Sequence, residues 1–280
     1  MPEKPHPLKV IRRAQGAGCR EVIVAYSGGK DATVTLDLCL RHFDRVEAYF
    51  YCIAPVKRDG SLVALPYEEK QLQWAERRYG VEIYRVPHPS LTSLFRQSTY
   101  RHGTMRATDC PRLLPIDLDA HLRKRFGIQW IATGERAQDS LERNAFIRET
   151  GGVDRLDDEE QKQRDEEFKK RKGREKPKQR PRFRLYPIGF WSEGDVFSYI
   201  QQRGLVTSSV YKIADDEHFR SRTGKKKEFG GLQMDTIAFM QKNMPEDYAQ
   251  IKRLFPLIDA QVIRFNALMK AKNAKQVPEV

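Results

Sequence analysis

Residues Glu21–Asp31 read Glu-Val-Ile-Val-Ala-Tyr-Ser-Gly-Gly-Lys-Asp, and this stretch decides the fold. Glu21–Tyr26 is a short β-branched run of the kind that fits a buried strand. Ser27-Gly28-Gly29 breaks it, because two glycines let a backbone turn tightly and approach another group without Cβ clashes. From Asp31 to Phe43, apolar residues at Val34, Leu36, Leu38, Leu40 and Phe43 suit a largely buried helix. A strand, a glycine turn and a helix in this order aim loop N–H groups and the positive helix end at one spot, which suits phosphate. Ser27 adds a hydroxyl donor and Lys30 a mobile positive charge. Asp31 can cap the helix and can help hold a phosphate-bound Mg2+. The spacing is not the Walker pattern, which places four residues between its glycines and ends in Lys followed by Ser or Thr.

Outward from this unit, strand-like and helix-like segments alternate. Val46–Cys52 reads as a strand, Tyr67–Tyr79 as a helix, Val81–Val86 as a strand, Leu113–Phe126 as a helix and Ile128–Ala132 as a fourth strand. Strands separated by helices of this length need crossover connections, so the fold class is α/β, a parallel sheet covered by helices on both faces. Composition then changes: between Gly152 and Arg182, 21 of 31 residues are charged, which leaves no apolar face to bury. Apolar texture returns at Tyr186-Pro187-Ile188. Ser192 is placed to cap a helix through Tyr199, with Asp195 at its third position. Leu232–Lys242, Pro245–Leu254 and Leu257–Lys270 read as helices. The predicted layout is a nucleotide-binding α/β body over residues 1–151, a charged and mobile insertion over 152–182, and a mainly helical part over 183–280.

The 280 residues include 51 Lys+Arg against 38 Asp+Glu, a formal charge of +13. That excess attracts polyanions, either nucleotides or nucleic acid. Its densest runs are Lys169–Arg182 and Arg220–Lys227, where few aromatic residues are interleaved for base stacking. No run approaches the ~18 consecutive apolar residues of a membrane-spanning helix, and Met1–Arg13 lacks the apolar core of a secretory signal. The four cysteines, Cys19, Cys39, Cys52 and Cys110, form neither a disulfide framework nor a zinc-ligand spacing, so a cytoplasmic location is expected. Oligomeric state is not encoded in any feature of this kind.

Four stretches together resemble one superfamily. Ala25-Tyr26-Ser27-Gly28-Gly29-Lys30-Asp31 is similar to the SGGxDS-type loop of the PP-loop ATP pyrophosphatases, within them the phosphoadenosine-phosphosulfate (PAPS) reductase-like branch. Ala132-Thr133-Gly134-Glu135-Arg136, followed by Asp139-Ser140 and Arg143, resembles that branch's second motif. Pro187-Ile188, Trp191-Ser192 and Asp195-Val196 resemble its "PI..W...DV" segment, with Tyr211 placed like the downstream Tyr. Thr108-Asp109-Cys110-Pro111-Arg112 resembles the entry to its third helix. The resemblance implies a Rossmann-like adenine nucleotide α-hydrolase fold that binds ATP or a sulfonucleotide across the strand C-termini. It implies a nucleotide-binding set of Ser27, Gly28, Gly29, Lys30, Asp31, Gly134, Glu135, Arg136 and Arg143, with Lys30, Asp31 and Arg136 as the catalytic residues.

The chain departs from the reductases of that branch in its thiols. Those enzymes attack sulfur with a cysteine near the C-terminus, and here no cysteine follows Cys110. An iron–sulfur cluster or a zinc site needs about four ligands, and Lys225-Lys226-Lys227 stands where some relatives place a Cys-x-x-Cys. The expectation is therefore ATP with Mg2+ as ligand, without an iron–sulfur cluster or zinc. The expected chemistry is cleavage between the α and β phosphates with AMP passed to an acceptor, not PAPS reduction. The alternative is a non-catalytic accessory protein that binds nucleotide and, through its basic runs, nucleic acid or a ribonucleoprotein. Variants that resemble this chain in their missing cysteines accompany phages, DNA-modification islands and some CRISPR systems. His88 and His102 have no companion at a ligand or general-base spacing, and no role follows for them.

Overall fold

A computed structural model describes residues 6–52, 64–88, 115–156, 166, 182–207 and 234–274. The order of elements is α1 (Pro7–Gly16), β1 (Glu21–Ala25), α2 (Lys30–His42), β2 (Arg45–Cys52), α3 (Pro66–Tyr79), β3 (Ile83–Pro87), α4 (Pro115–Phe126), β4 (Trp130–Ala132), α5 (Leu141–Thr150), β5 (Val153–Leu156), β6 (Arg182–Leu185), α6 (Glu193–Arg203), α7 (Met234–Asn243), α8 (Pro245–Leu254) and α9 (Ile258–Ala274). The chain divides into two compact units. The first comprises Met1–Tyr49, Val81–Ile83 and Ala120–Thr207, and the second Phe50–Gly80, Tyr84–Asp119 and Ser208–Val280.

One six-stranded sheet has the order β3-β2-β1-β4-β6-β5. Val22, Ile23 and Val24 of β1 are wholly buried, as a run without alternation requires when a strand is covered on both faces. β1 pairs in parallel with β2 and with β4, setting Ile23 opposite Glu47 on one side and Ile131 on the other. β4 pairs in parallel with β6. One departure from the parallel sheet expected from sequence is β5, which runs antiparallel to β6 with Asp154 opposite Arg184. Such an antiparallel edge strand is common on parallel sheets. It also corrects the extent of the charged segment: Val153–Leu156, counted with the insertion in the sequence, is sheet, and Asp154 is buried there.

Within the first unit, α1 is a helix that the sequence did not announce. Its N-terminus holds Pro7 in the first turn, and the Nδ1 atom of His6 accepts the Leu8 N–H at 3.3 Å. Val10, Ile11 and Ala14 bury one face at helical spacing. α2 is buried almost all round, from Ala32 to Cys39. It tolerates two buried threonines because their hydroxyls donate to carbonyls four residues back, Thr33 to Gly29 and Thr35 to Asp31, each at 2.9 Å.

The second unit packs Leu65 and Tyr67, at the start of α3, with Ile237, Met240, Tyr248, Ile251, Phe255, Ile258 and Val262 of the C-terminal helices. Its polar contacts are also buried. Tyr67 N–H donates to Asp247 at 2.9 Å, and the Glu68 carboxylate accepts the Leu65 N–H at 2.9 Å and the Tyr67 hydroxyl at 3.0 Å. Arg85 of β3 binds Glu69 and Glu76 of α3. Among the described residues, no helix is long and apolar enough to cross a membrane.

Candidate functional site

The strand order reverses direction between β1 and β4. From β1 the chain builds outward through β2 to β3, and it then returns to the other side of β1 for β4. Open α/β sheets leave a crevice at such a point, beyond the strand C-termini, because the two connecting loops part in opposite directions. The loops at that point here are Ser27–Gly29, after β1, and Thr133–Arg136, after β4.

The first loop turns through Gly28 at φ +73°, a left-handed conformation that favours glycine. Gly29 is then the residue preceding α2, and no side chain caps that helix. Asp31, expected from sequence to serve as a cap, is instead the second residue inside the helix, with its carboxylate turned to Lys30 and Arg136. The first-turn N–H groups of α2 thus have no intrahelical carbonyl and no capping side chain. The Ser27 hydroxyl accepts the Gly29 N–H at 3.4 Å.

The second loop lies directly against this turn. A Cβ added at Gly134 would meet the Asp31 carbonyl carbon at 2.8 Å and the Ala32 nitrogen at 3.0 Å, so only glycine allows the two backbones to approach so closely. The loop is held from behind. Thr133 N–H donates to Leu185, and Ala137 N–H donates to Gly189 at 2.7 Å. Tyr186 packs with Ala137 and Ile147, which accounts structurally for the Pro187-Ile188 stretch: it supports the loop that carries Arg136.

Charges cluster where the loops meet. Lys30 Nζ lies 2.9 Å from Asp31 Oδ2 and 3.5 Å from Glu193 Oε1, and its side chain is only 11% exposed. The Arg136 side chain, 8% exposed, places Nε 3.1 Å from Asp31 Oδ1, though the two are not aligned for a hydrogen bond. Arg136 also donates to Asp139 at 3.2 Å, and its backbone N–H donates to the other Asp139 oxygen at 2.8 Å. Its remaining guanidinium nitrogen is buried with no hydrogen-bond partner, as is the Thr133 hydroxyl. Arg143 is half-exposed on α5, 3.3 Å from Glu135 and 3.7 Å from Asp139. Lys30, Arg136 and Arg143 are therefore each engaged by carboxylates drawn from Asp31, Glu135, Asp139 and Glu193.

All nine residues of the expected set lie in these two loops and the first turns of α2 and α5. Asp139 and Glu193 join them without having been singled out as site residues. Asp139 was legible three residues after Arg136, whereas Glu193 meets Lys30 only through the tertiary fold. Among the described residues, no group of three or more His, Cys, Asp or Glu could hold a metal ion. Asp31 supplies one carboxylate, which fits an Mg2+ held chiefly by phosphate and water and does not fit a protein-only cage. Cys19, Cys39 and Cys52 are buried. Burial pushes the thiols of Cys19 and Cys52 up to about 12 and raises that of Cys39 as well, the opposite of an activated thiolate. Cys110, Tyr211, His102, Arg220–Lys227 and all of the basic run except Arg182 lie outside the described residues. His88 stacks edge-on against Tyr51 at 5.4 Å.

Comparison with known proteins bears on this arrangement. The family model described as phosphoadenosine phosphosulfate reductase domain matches residues 21–221. No curated protein matches the chain. Among solved structures, the chain is similar to a PAPS reductase from Candida auris in complex with phosphate, at 13% identity and a TM-score of 0.45, covering 75% of this chain and 85% of that one. It is also similar to the U34-tRNA thiolase NcsA from Methanococcus maripaludis with its [4Fe-4S] cluster, at 15% identity and a TM-score of 0.44, covering 90% and 78%. A third is the NH3-dependent NAD synthetase from Campylobacter jejuni, at 11% identity and a TM-score of 0.36, covering 98% and 96%.

Proposed function

The chain belongs to the phosphoadenosine phosphosulfate reductase domain family, and on that premise we propose that it binds ATP at the two loops and cleaves it between the α and β phosphates. The observation that supports this most is Arg136: a buried guanidinium, two of whose nitrogens make no hydrogen bond and one of those no ion pair either, beside the uncapped first turn of α2. A buried donor without an acceptor is costly, and an anionic oxygen in the crevice would satisfy it. In the proposed reaction an acceptor oxygen attacks the α phosphorus, the bond from that phosphorus to the bridging oxygen breaks, and pyrophosphate leaves with the bonding electrons. Little covalent work falls to the protein in such a step; positioned cations and N–H donors do most of it. Gly28, Gly29 and Lys30 would supply the backbone donors, and Lys30 and Arg136 the mobile and the fixed charge. Arg143, more exposed, would be a second clamp, with Glu135 positioning it. Mg2+ carried in on the phosphates would neutralise their charge, with Asp31 as its one protein ligand.

Cleavage is favoured over reduction because residues 111–280 contain no cysteine and the three described thiols are buried. Incubation with Mg2+ and ATP labelled at the α phosphate tests the proposal. Pyrophosphate and labelled AMP, free when water is the acceptor or attached to another acceptor, are the required products; ADP and phosphate would overturn it. A non-catalytic accessory protein that uses Lys169–Arg182 and Arg220–Lys227 to hold a nucleic acid or ribonucleoprotein is the second reading, supported by the +13 charge. Such a protein would bind ATP without turning it over, so the same assay separates the two.

A further inference from the structure

Helices α2 and α6 lie side by side with their N-termini at the same end. Their first residues meet, Lys30 Nζ at 3.5 Å from Glu193 Oε1. About two turns further along, Asp37 of α2 accepts the Tyr199 hydroxyl at 2.6 Å and the Arg203 Nε at 3.3 Å. Asp37 is buried, so this second attachment is a buried acceptor with two α6 side chains on one of its oxygens, and Arg41 reaches the same Tyr199 hydroxyl at 3.5 Å. The start of α6 is fixed as well: the Ser192 hydroxyl accepts the Asp195 N–H at 3.2 Å, and Asp195 accepts the Ser192 N–H at 2.7 Å. Glu193 is therefore carried on a helix tied to α2 at two levels. Its own side chain is nonetheless 63% exposed, while the Lys30 side chain it reaches is 11% exposed. The two ends of this ion pair differ accordingly: the lysine is committed to the crevice, and the glutamate is free to swing to water.

We infer that Glu193 is a positioning residue, a resident anion that holds Lys30 at the mouth of the loop until a nucleotide phosphate displaces it. The inference rests on the nucleotide reading of this site and adds to it a residue that competes with the ligand. A carboxylate 3.5 Å from the cation that would meet a phosphate repels that phosphate while it stays and costs little to dislodge. With its carboxylate 63% exposed and screened by water, the pair contributes about 1 kcal/mol, which corresponds to roughly a fivefold change in affinity. Glu193 thereby weakens every anion that meets Lys30 by up to about that fivefold factor, inorganic phosphate as well as a nucleotide.

Titration calorimetry with Mg-ATP and with inorganic phosphate, on the parent and on Glu193→Gln, tests this. Glu193→Gln is expected to bind Mg-ATP two- to fivefold more tightly, to gain at least as much for inorganic phosphate, and to melt within a degree of the parent. In a Lys30→Met background the same substitution should give no gain, which a repulsion spread over the whole site would not produce. Equal or weaker binding by Glu193→Gln, or a gain that persists without Lys30, overturns the inference. A separate readout needs no nucleotide: acetylation of Lys30 by limiting acetic anhydride, followed by mass spectrometry. Glu193→Gln should raise that rate, and an unchanged rate overturns the inference even if neither protein binds ATP, an outcome that would refute the nucleotide reading separately.

Discussion

Substituting Gly134 by alanine perturbs a place where the loop after β4 meets the first turn of α2 backbone to backbone. The added Cβ would lie 2.8 Å from the Asp31 carbonyl carbon, 3.0 Å from the Asp31 oxygen and 3.0 Å from the Ala32 nitrogen. All three are main-chain atoms in the first turn of a buried helix, so none can rotate away. Ordinary contact begins near 3.4 Å, and about 0.6 Å of separation must therefore be found by moving α2 or the end of β4. Overpacking of this kind costs about 1–3 kcal/mol. At roughly 2–4 °C per kcal/mol for a chain of this size, the melting temperature should fall by about 2–12 °C. The same movement separates Arg136 from Asp31, now 3.1 Å apart, and shifts the phosphate donors relative to the guanidinium. Misplacement on the ångström scale can cost as much as about a hundredfold in activity, so nucleotide affinity should fall about tenfold or more. Thermal unfolding and calorimetric titration with Mg-ATP measure the two effects. Gly16→Ala is the control, since a Cβ there meets nothing within 4 Å and the helix end should be unharmed or slightly stabilised. If Gly134→Ala melts and binds like the parent, the close approach of Gly134 to α2 is wrong.

Lys30→Ala should keep the melting temperature of the parent and weaken Mg-ATP binding ten- to a hundredfold in the same calorimetric titration, the loss of one charge-assisted contact of about 1.5–3 kcal/mol. Burial pushes Glu68 up from 4.5 to about 7 against the pull of its bonds from Leu65 and Tyr67. A carboxyl whose folded pKa is raised keeps a proton that the unfolded chain has lost, so its contribution is fully present below about pH 4.5 and is lost as pH rises through 7. That loss is about 3 kcal/mol, and urea unfolding at pH 5 and pH 8 should show it in the parent and not in Glu68→Gln. Replacing residues 157–181 with a short Gly-Ser turn should leave folding and ATP binding nearly intact, because Leu156 and Arg182 are already paired across β5 and β6 and a tight hairpin can join them. The same replacement should weaken binding to a nucleic acid at low salt, measured by fluorescence anisotropy, since it removes eight of the nine basic residues between Lys169 and Arg182. Binding that survives it unchanged would leave the basic run as surface only.

The start of the sheet was legible because its signals are local. A β-branched run, two glycines and a buried apolar helix occupy consecutive residues, and β1 and α2 fall within one or two residues of the expected Glu21–Tyr26 and Asp31–Phe43. β5 and β6 were not legible, since each is four residues long, each borders the charged segment, and each is stabilised by a partner far along the chain. α1 was hidden for a related reason: Arg12 and Arg13 interrupt Val10, Ile11 and Ala14 in the sequence but point elsewhere on the helix. At the site, the glycines and Arg136 stood out through their order along the chain. Asp37, which nothing in the sequence set apart, is buried with its carboxylate bonded to Tyr199 and Arg203. Partners of this kind, like Glu193 for Lys30, exist only once α6 has packed, and no periodicity within either helix encodes them.

A crystal structure with α,β-methylene-ATP and Mg2+ would locate the nucleotide in a form that cannot be cleaved at the bond in question. The account places its phosphates within hydrogen-bonding distance of the backbone N–H groups of Gly28–Lys30, with Lys30 drawn off Glu193 and the unpartnered nitrogen of Arg136 bonded to a phosphate oxygen. A nucleotide held elsewhere, or a loop left empty at saturating ligand, would contradict it.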